Sequence, residues 1–260
     1  MRGLRGSQLS LDPQLGRFER TYVRILGAPA NGLRIRLRRV LPETRGHYGT
    51  ILDAGCGTGV FAMELAKMHP ESLVTGVDIE PELVERATAI ARAAGITNCR
   101  FEVGDVTALT FDDRFDLVVS VDNMEHVVDD VRAMKVLLRA LHPGGRLVLH
   151  TPAYHRRWPV LRKQVNFDVP GHVRPGYHAE ELVSKLREAG FQHVEEKYTY
   201  GVLENLTNNI SYKISGANQE NKVAYALVAP LLHAVSYPGQ FSQPRWGAGL
   251  LATARRPAAS

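Results

Sequence analysis

His126 is the residue of this chain best placed to move a proton. It sits in Asp122-Asn123-Met124-Glu125-His126-Val127, directly after the apolar run Phe115–Val121, which reads as a strand. Imidazole titrates near neutrality, which suits a base acting on a hydroxyl or an activated carbon. The competing reading is that Glu125 and His126 brace the start of the helix that follows. His155 and His172 are further candidates for contact with a substrate, with Tyr154 and Tyr177 beside them in the stretch 152–177 and His178 just after it. That stretch is too long and too aperiodic for an ordinary connection, and such loops are usually functional. No metal-ligand cluster stands out in the sequence.

A second feature could hold a ligand. Ile51-Leu52-Asp53-Ala54-Gly55-Cys56-Gly57-Thr58-Gly59 runs from an apolar strand through an acid into glycines at alternate positions. Glycine belongs where the backbone bends sharply and a ligand comes close. Open α/β sheets bind ligands at the carboxyl ends of their strands. A P-loop is excluded, because no Gly-Lys-Ser/Thr follows. The dinucleotide fingerprint fails from Gly55, where Val60 takes the third glycine's place. From Gly57 it stays open, with Ala62 at that position. A second strand, Leu73–Asp78, ends in an acid about 20 residues past the turn, where such folds place a carboxylate on ribose hydroxyls. A third strand, Cys99–Val103, leads into Gly104-Asp105-Val106. A fifth, Arg146–His150, follows Leu141-His142-Pro143-Gly144-Gly145.

Taken in order, Asp-x-Gly-x-Gly-x-Gly, the acid of Asp78, Gly-Asp-Val and Leu-x-Pro-Gly-Gly resemble the class I S-adenosylmethionine-dependent methyltransferases over residues 51–150. Glu125-His126-Val127 resembles the small-molecule branch that includes ubiquinone-biosynthesis O-methyltransferases. Gly171-His172-Val173-Arg174-Pro175 resembles a His-x-Arg pattern of the same branch. The resemblance implies an α/β fold: a doubly wound, seven-stranded Rossmann-like sheet with a terminal antiparallel hairpin. It implies S-adenosyl-L-methionine as cofactor and S-adenosyl-L-homocysteine as product. Asp53, Gly55, Cys56, Gly57, Asp78, Ile79, Asp105, Val106 and Val121 would hold the cofactor, and His126 would take the acceptor's proton.

The chain has 260 residues, 44% hydrophobic and 23% charged, as expected of a globular protein. Its two cysteines, Cys56 and Cys99, make neither a disulfide framework nor a zinc site. No signal peptide and no apolar run of the roughly 18 residues a spanning helix needs is visible, so a cytoplasmic location is expected. The net charge of +5 leaves a basic face in Arg34, Arg36, Arg38 and Arg39 and another in Arg156, Arg157, Arg162 and Lys163. Nucleic acid is disfavoured: no aromatic platform interleaves these charges. Asp122-Asn123 also lacks the Asn-Pro-Pro-Tyr signature of amino-methylating nucleic-acid enzymes. A basic amphipathic helix could instead touch a membrane surface.

The organisation expected is a helical lid over 1–45, a cofactor-binding core over 46–200, a helical cap over 201–245, and a last strand and tail over 246–260. Apolar 223–235 in the cap points to a hydrophobic small-molecule acceptor, with membrane contact or dimerisation as rivals; the oligomeric state is not readable. A hydroxyl oxygen is the expected methyl acceptor. Carbon or nitrogen methylation, a cofactor-binding module without catalysis, and a nicotinamide oxidoreductase are the alternatives.

Overall fold

A computed structural model describes residues 5–28, 30–154, 171–215 and 222–259. Five apolar runs form the parallel part of one sheet: β1 (Thr50–Ala54), β2 (Leu73–Asp78), β3 (Cys99–Val103), β4 (Phe115–Val121) and β5 (Leu141–Pro152). Two more strands complete it, β6 (Gln192–Thr199) and β7 (Gly249–Arg255), in the order β3-β2-β1-β4-β5-β7-β6, with β7 antiparallel to both its neighbours. The strand order reverses between β1 and β4, whose Ile51 and Asp53 lie opposite Leu117 and Val119. At such a switch point the connections leave in opposite directions and open a crevice at the strands' carboxyl ends. β5 begins earlier than its apolar run suggests. Leu141 pairs with Phe115, and the ladder shifts register before resuming at Leu117↔Arg146, so Pro143-Gly144-Gly145 lies within the strand.

Side chains alternate across a strand, and both faces here are covered. Leu52, Val118, Leu149 and Leu250 point to one face, packed by α5 (Asp130–Ala140) and α6 (Ala179–Glu188). Ile51, Leu117, Val148 and Leu251 point to the other, under α3 (Val60–Met68) and α4 (Pro81–Ala93). Helix starts follow local chemistry: Pro81 fills the first turn of α4, and Asp129 caps α5 by accepting from Arg132 N at 3.0 Å.

The leading segment forms α1 (Arg17–Leu26) and α2 (Asn31–Val40). The cap forms α7 (Val202–Ser215) and α8 (Lys222–Ser236). α2 is clamped between core and cap by its own arginines. Arg39 makes a two-pronged pair with Glu204, Nε–Oε1 3.0 Å and Nη2–Oε2 2.7 Å, with Glu204 fully buried. Arg38 donates to Ser236 Oγ, Arg36 pairs with Asp122, and Arg34 donates to the Ala28 carbonyl. The arginines of α2 thus all have partners within the protein, as ordinary packing of the helix on the core requires. The second basic segment, 156–163, lies outside the described residues. Among the described residues no helix is long and apolar enough to cross a membrane.

Candidate active site

A cavity of about 870 Å3 opens over the carboxyl ends of β1 and β4. α1 and α2 wall it on one side and the cap on another. The glycine turn forms its floor. Gly55 N and Cys56 N both donate to Val77 O, at 2.8 and 2.9 Å, which folds the chain back over β2. Gly57 N donates to Asp78 Oδ2 at 2.7 Å, so the turn and the acid at the end of β2 are one unit. Gly55 and Gly59 are closed in: a Cβ on Gly55 would meet the Asn123 amide at 2.2 Å, and one on Gly59 would meet the Phe101 ring at 2.5 Å. Gly57 differs. With φ +53° a Cβ there would meet nothing within 4 Å, so the backbone at the cavity wall is bare and ready for a close ligand.

Asp53 lies beneath this turn, 1% exposed, and accepts from Ala62 N at 2.9 Å. Burial pushes its carboxyl up to about 7, against that hydrogen bond. A folded chain that holds this proton above the unfolded pKa loses stability as pH rises from about 4 to about 7. Asp53→Asn, which cannot ionise, should therefore melt with a flatter pH dependence over that window; thermal denaturation across it reads the difference, and equal slopes would contradict the assignment. Burial also pushes up the Cys56 thiol, and the Cys99 thiol to about 12, so neither is a thiolate nucleophile.

The expected cofactor residues divide into two groups. Asp53, Gly55, Cys56, Gly57 and Val121 line the cavity. Asp78, Ile79, Asp105 and Val106 are not among the residues that line it. Asp78 touches the turn through Gly57, Ile79 is exposed, Asp105 accepts from Thr107 N and Oγ1, and Val106 packs into the core.

The second half of the cavity is built after β4. Asp122 takes a left-handed φ of +49° and so turns its carboxylate back between α2 and β5. It pairs with Arg36 and with His150 Nδ1 at 2.6 Å, while His150 Nε2 meets Thr199 Oγ1 at 2.9 Å. Burial alone would raise the Asp122 carboxyl, but Arg36 and His150 hold it well below the usual range. Glu125 has the opposite fate. It is 1% exposed, and burial reinforced by the Asp122 charge pushes its carboxyl well above the usual range. Thr151 donates to its Oε2 at 3.2 Å, and its Oε1 has no partner among the described residues.

His126 stands beside it. Its Nδ1 faces the Gly171 carbonyl at 3.0 Å and donates to it, which leaves Nε2 with the lone pair. The His172 ring packs edge-on against it at 4.7 Å between centroids. Gly171–Arg174 is pinned there by Val173 N donating to Glu125 O at 2.9 Å and by Arg174, which pairs with Asp130 and donates to the Val128 carbonyl. The His-x-Arg pattern thus docks one histidine against the other. This docking brings one ligand atom each from Glu125, His126 and His172 within 4.8 Å of one another, a grouping that no spacing in the sequence announces. His155 lies outside the described residues. Sequence reasoning missed Arg36, His150 and Tyr200 in the cavity wall, and the cap residues Asn205, Asn208, Asn209, Ser211 and Tyr212. These make the cap's inner face polar, while Leu227 and Leu231 of α8 point outward, 78% and 64% exposed. Of the segment 223–235, Tyr225 and Ala226 line the cavity, beside Leu15, Phe18 and Leu33 of the leading segment.

A methyltransferase-domain family model matches residues 47–216, and the chain belongs to that family, the class I S-adenosylmethionine-dependent methyltransferases. It is similar to 27-O-demethylrifamycin SV methyltransferase of Amycolatopsis mediterranei, 30% identical over 62% of this chain and 71% of that protein. It is also similar to O-methyltransferase resE of Aspergillus sclerotiorum, 30% identical over 56% of this chain and 55% of the other. For several curated relatives the match spans about half their length or less, 43% and 31% in two cases. The solved YcgJ protein of Bacillus subtilis shares the fold, with a TM-score of 0.56 at 22% identity over 88% of this chain and 98% of that one.

Proposed function

We propose that this chain transfers the methyl group of S-adenosylmethionine to a hydroxyl oxygen of a small-molecule acceptor. The observation that carries this reading is the pairing, in one cavity, of a bare glycine turn with an oriented imidazole. Gly57 and Asp78 form the cofactor side and His126 the acceptor side. The ribose hydroxyls would go to Asp78, whose two oxygens retain free lone pairs beside their bonds to Gly57 N and Glu80 N. The Gly104-Asp105-Val106 segment would border the adenine ring. The sulfonium methyl would then face the gap between the turn and His126.

Methyl transfer is an in-line displacement, and holding the two partners in line while excluding water supplies most of its acceleration. The lid, the cap and the clamped α2 serve that end. A hydroxyl acceptor must also lose its proton. His126 Nε2 takes it, with Nδ1–H held on the Gly171 carbonyl to fix the tautomer. The names of two relatives, both O-methyltransferases, support oxygen as the acceptor atom. The polar inner face of the cap supports an acceptor that carries several hydrogen-bonding groups.

His126→Gln should lower methyl transfer by roughly 10²–10⁴-fold, with cofactor affinity unchanged. Carbon-13 methyl-labelled S-adenosylmethionine, supplied with a small-molecule extract, reads both the rate and the product. A methyl-ether resonance is expected, and an N-methyl or C-methyl resonance at full rate in the variant would overturn the base assignment.

A further inference from the structure

Glu125, His126 and His172 come together without being neighbours in the chain. The first two share a short turn after β4, and the third lies 46 residues beyond His126 on the segment that docks against that turn. Their ligand atoms lie within 4.8 Å of one another. All three residues line the cavity that holds the glycine turn. Ligand atoms about 2.1 Å from a tetrahedral ion stand roughly 3.4 Å apart, so the set needs to close by at most about 1.4 Å, within the reach of side-chain rotation.

The supporting bonds are those a metal centre uses. A ligating histidine donates its other N–H to a carbonyl or carboxylate, which fixes the ring and makes the ligating nitrogen more basic. His126 does this through Nδ1 to Gly171 O at 3.0 Å. A ligating carboxylate is itself hydrogen-bonded, as Glu125 Oε2 is by Thr151. The remaining oxygen, Oε1, is buried without a partner among the described residues, and a buried polar atom left so is costly unless something fills the place. A protonated Glu125 would soften that cost, but it would leave the same oxygen idle at the wall of a cavity.

We propose that Glu125, His126 and His172 bind one divalent first-row transition-metal ion at the acceptor end of the cavity. Two imidazoles and one carboxylate suit zinc, iron, cobalt or manganese, not calcium or magnesium, which take oxygen ligands. Three protein ligands on one side leave the cavity side of the ion open. The acceptor's hydroxyl oxygen ligates there. This inference rests on the methyl-transfer reading and changes what His126 does. Its Nε2 is a ligand, and the ion's charge draws the hydroxyl proton off to solvent. The metal-bound oxygen then forms its bond to the methyl carbon, the carbon–sulfur bond breaks, and its electron pair stays on sulfur to give S-adenosylhomocysteine. The ion keeps its oxidation state throughout.

Cobalt(II), a coloured stand-in for the other ions, tests this without any acceptor. Chelator-treated full-length chain is titrated with cobalt(II) chloride and followed by visible absorption, and S-adenosylmethionine binding is measured by calorimetry on the same samples. The expected result is one cobalt per chain with intense ligand-field bands. Loss of a group that merely orients a metal ligand already costs 10–100-fold in metal affinity, so Glu125→Gln and His172→Ala should each weaken cobalt by about a hundredfold or more. Cofactor binding should be retained in both, which also shows that they fold. Should one variant fail to fold, the other still decides. Weak cobalt binding in the wild type, or binding that the variants leave unchanged, overturns the metal site while cofactor binding persists. Loss of cofactor binding in the wild type itself is a failure of the methyl-transfer reading instead. Activity that survives exhaustive chelation also overturns the metal's role and leaves His126 as the base.

Discussion

Replacing Gly57 by alanine should give a folded chain that binds S-adenosylmethionine on the order of a hundredfold more weakly, a loss of about 2.7 kcal/mol. Fold and ligand feel this change differently. At φ +53° an alanine is strained by roughly 1–2 kcal/mol, yet its methyl group would touch no protein atom within 4 Å. The stability cost is therefore only that strain. The cost to binding is larger, because the methyl group would stand in space that the cofactor must enter closely. Gly55→Ala is the contrasting variant. Its Cβ would lie 2.2 Å from the Asn123 side chain, so stability and binding should fall together. Thermal melts beside calorimetry read both variants. If Gly57→Ala binds as tightly as the parent, the open space above the turn is not the cofactor's.

Asp122→Asn should lower stability by about 2–3 kcal/mol, somewhat under the roughly 3–5 kcal/mol seen when one partner of a fully buried pair is removed. The side chains of Arg36 and Asp122 are 27% and 20% exposed, which is why the lower figure applies. Asparagine tolerates the left-handed backbone as aspartate does, so the change isolates the charge. It leaves the Arg36 guanidinium facing the cavity without its counter-ion, and the amide keeps one acceptor oxygen where the carboxylate served both Arg36 and His150 Nδ1. A melting temperature roughly 5–10 °C lower is expected. The sign with pH follows from the depressed carboxyl of Asp122: its contribution is fully present above about pH 4 and fades as pH falls below that. The variant and the parent should accordingly converge in acid. A variant as stable as the parent at neutral pH would mean that Arg36 finds water as readily as Asp122, and that the remaining partners of α2, Glu204 and Ser236 among them, are enough to hold it.

What could be read in the residues was local. β-Branched and leucine-rich runs marked β1, β2, β4 and β7, because a strand covered on both faces is apolar almost without interruption. The glycines at alternate positions marked the turn, because few other residues accept its backbone. The site's second half was less legible, because its partners are far apart in sequence. Arg36 meets Asp122 across 86 residues, and His126 meets Gly171 across 45. α7 falls within the helical cap expected over 201–245, but its own residues do not mark it. Asn205, Thr207, Asn208 and Asn209 are weak helix formers and break the apolar period, so nothing local announces a helix there. Tertiary contacts hold it, among them Glu204 on Arg39 and Thr207 on Asn31. The apolar run of α8 divides between two faces, with Tyr225 and Ala226 at the cavity and Ala229 and Leu232 buried. Leu227 and Leu231 lie on the outer surface, while α7 presents amides to the cavity.

The central claim is that the glycine turn and Asp78 form a site for S-adenosylmethionine. Calorimetric titration of the purified chain with S-adenosylmethionine and S-adenosylhomocysteine, beside an Asp78→Ala variant, tests it most directly. Micromolar binding of both by the parent, lost in the variant while its melting temperature stays close, is the result expected. Failure of the parent to bind either compound, or equal binding by the variant, would contradict it.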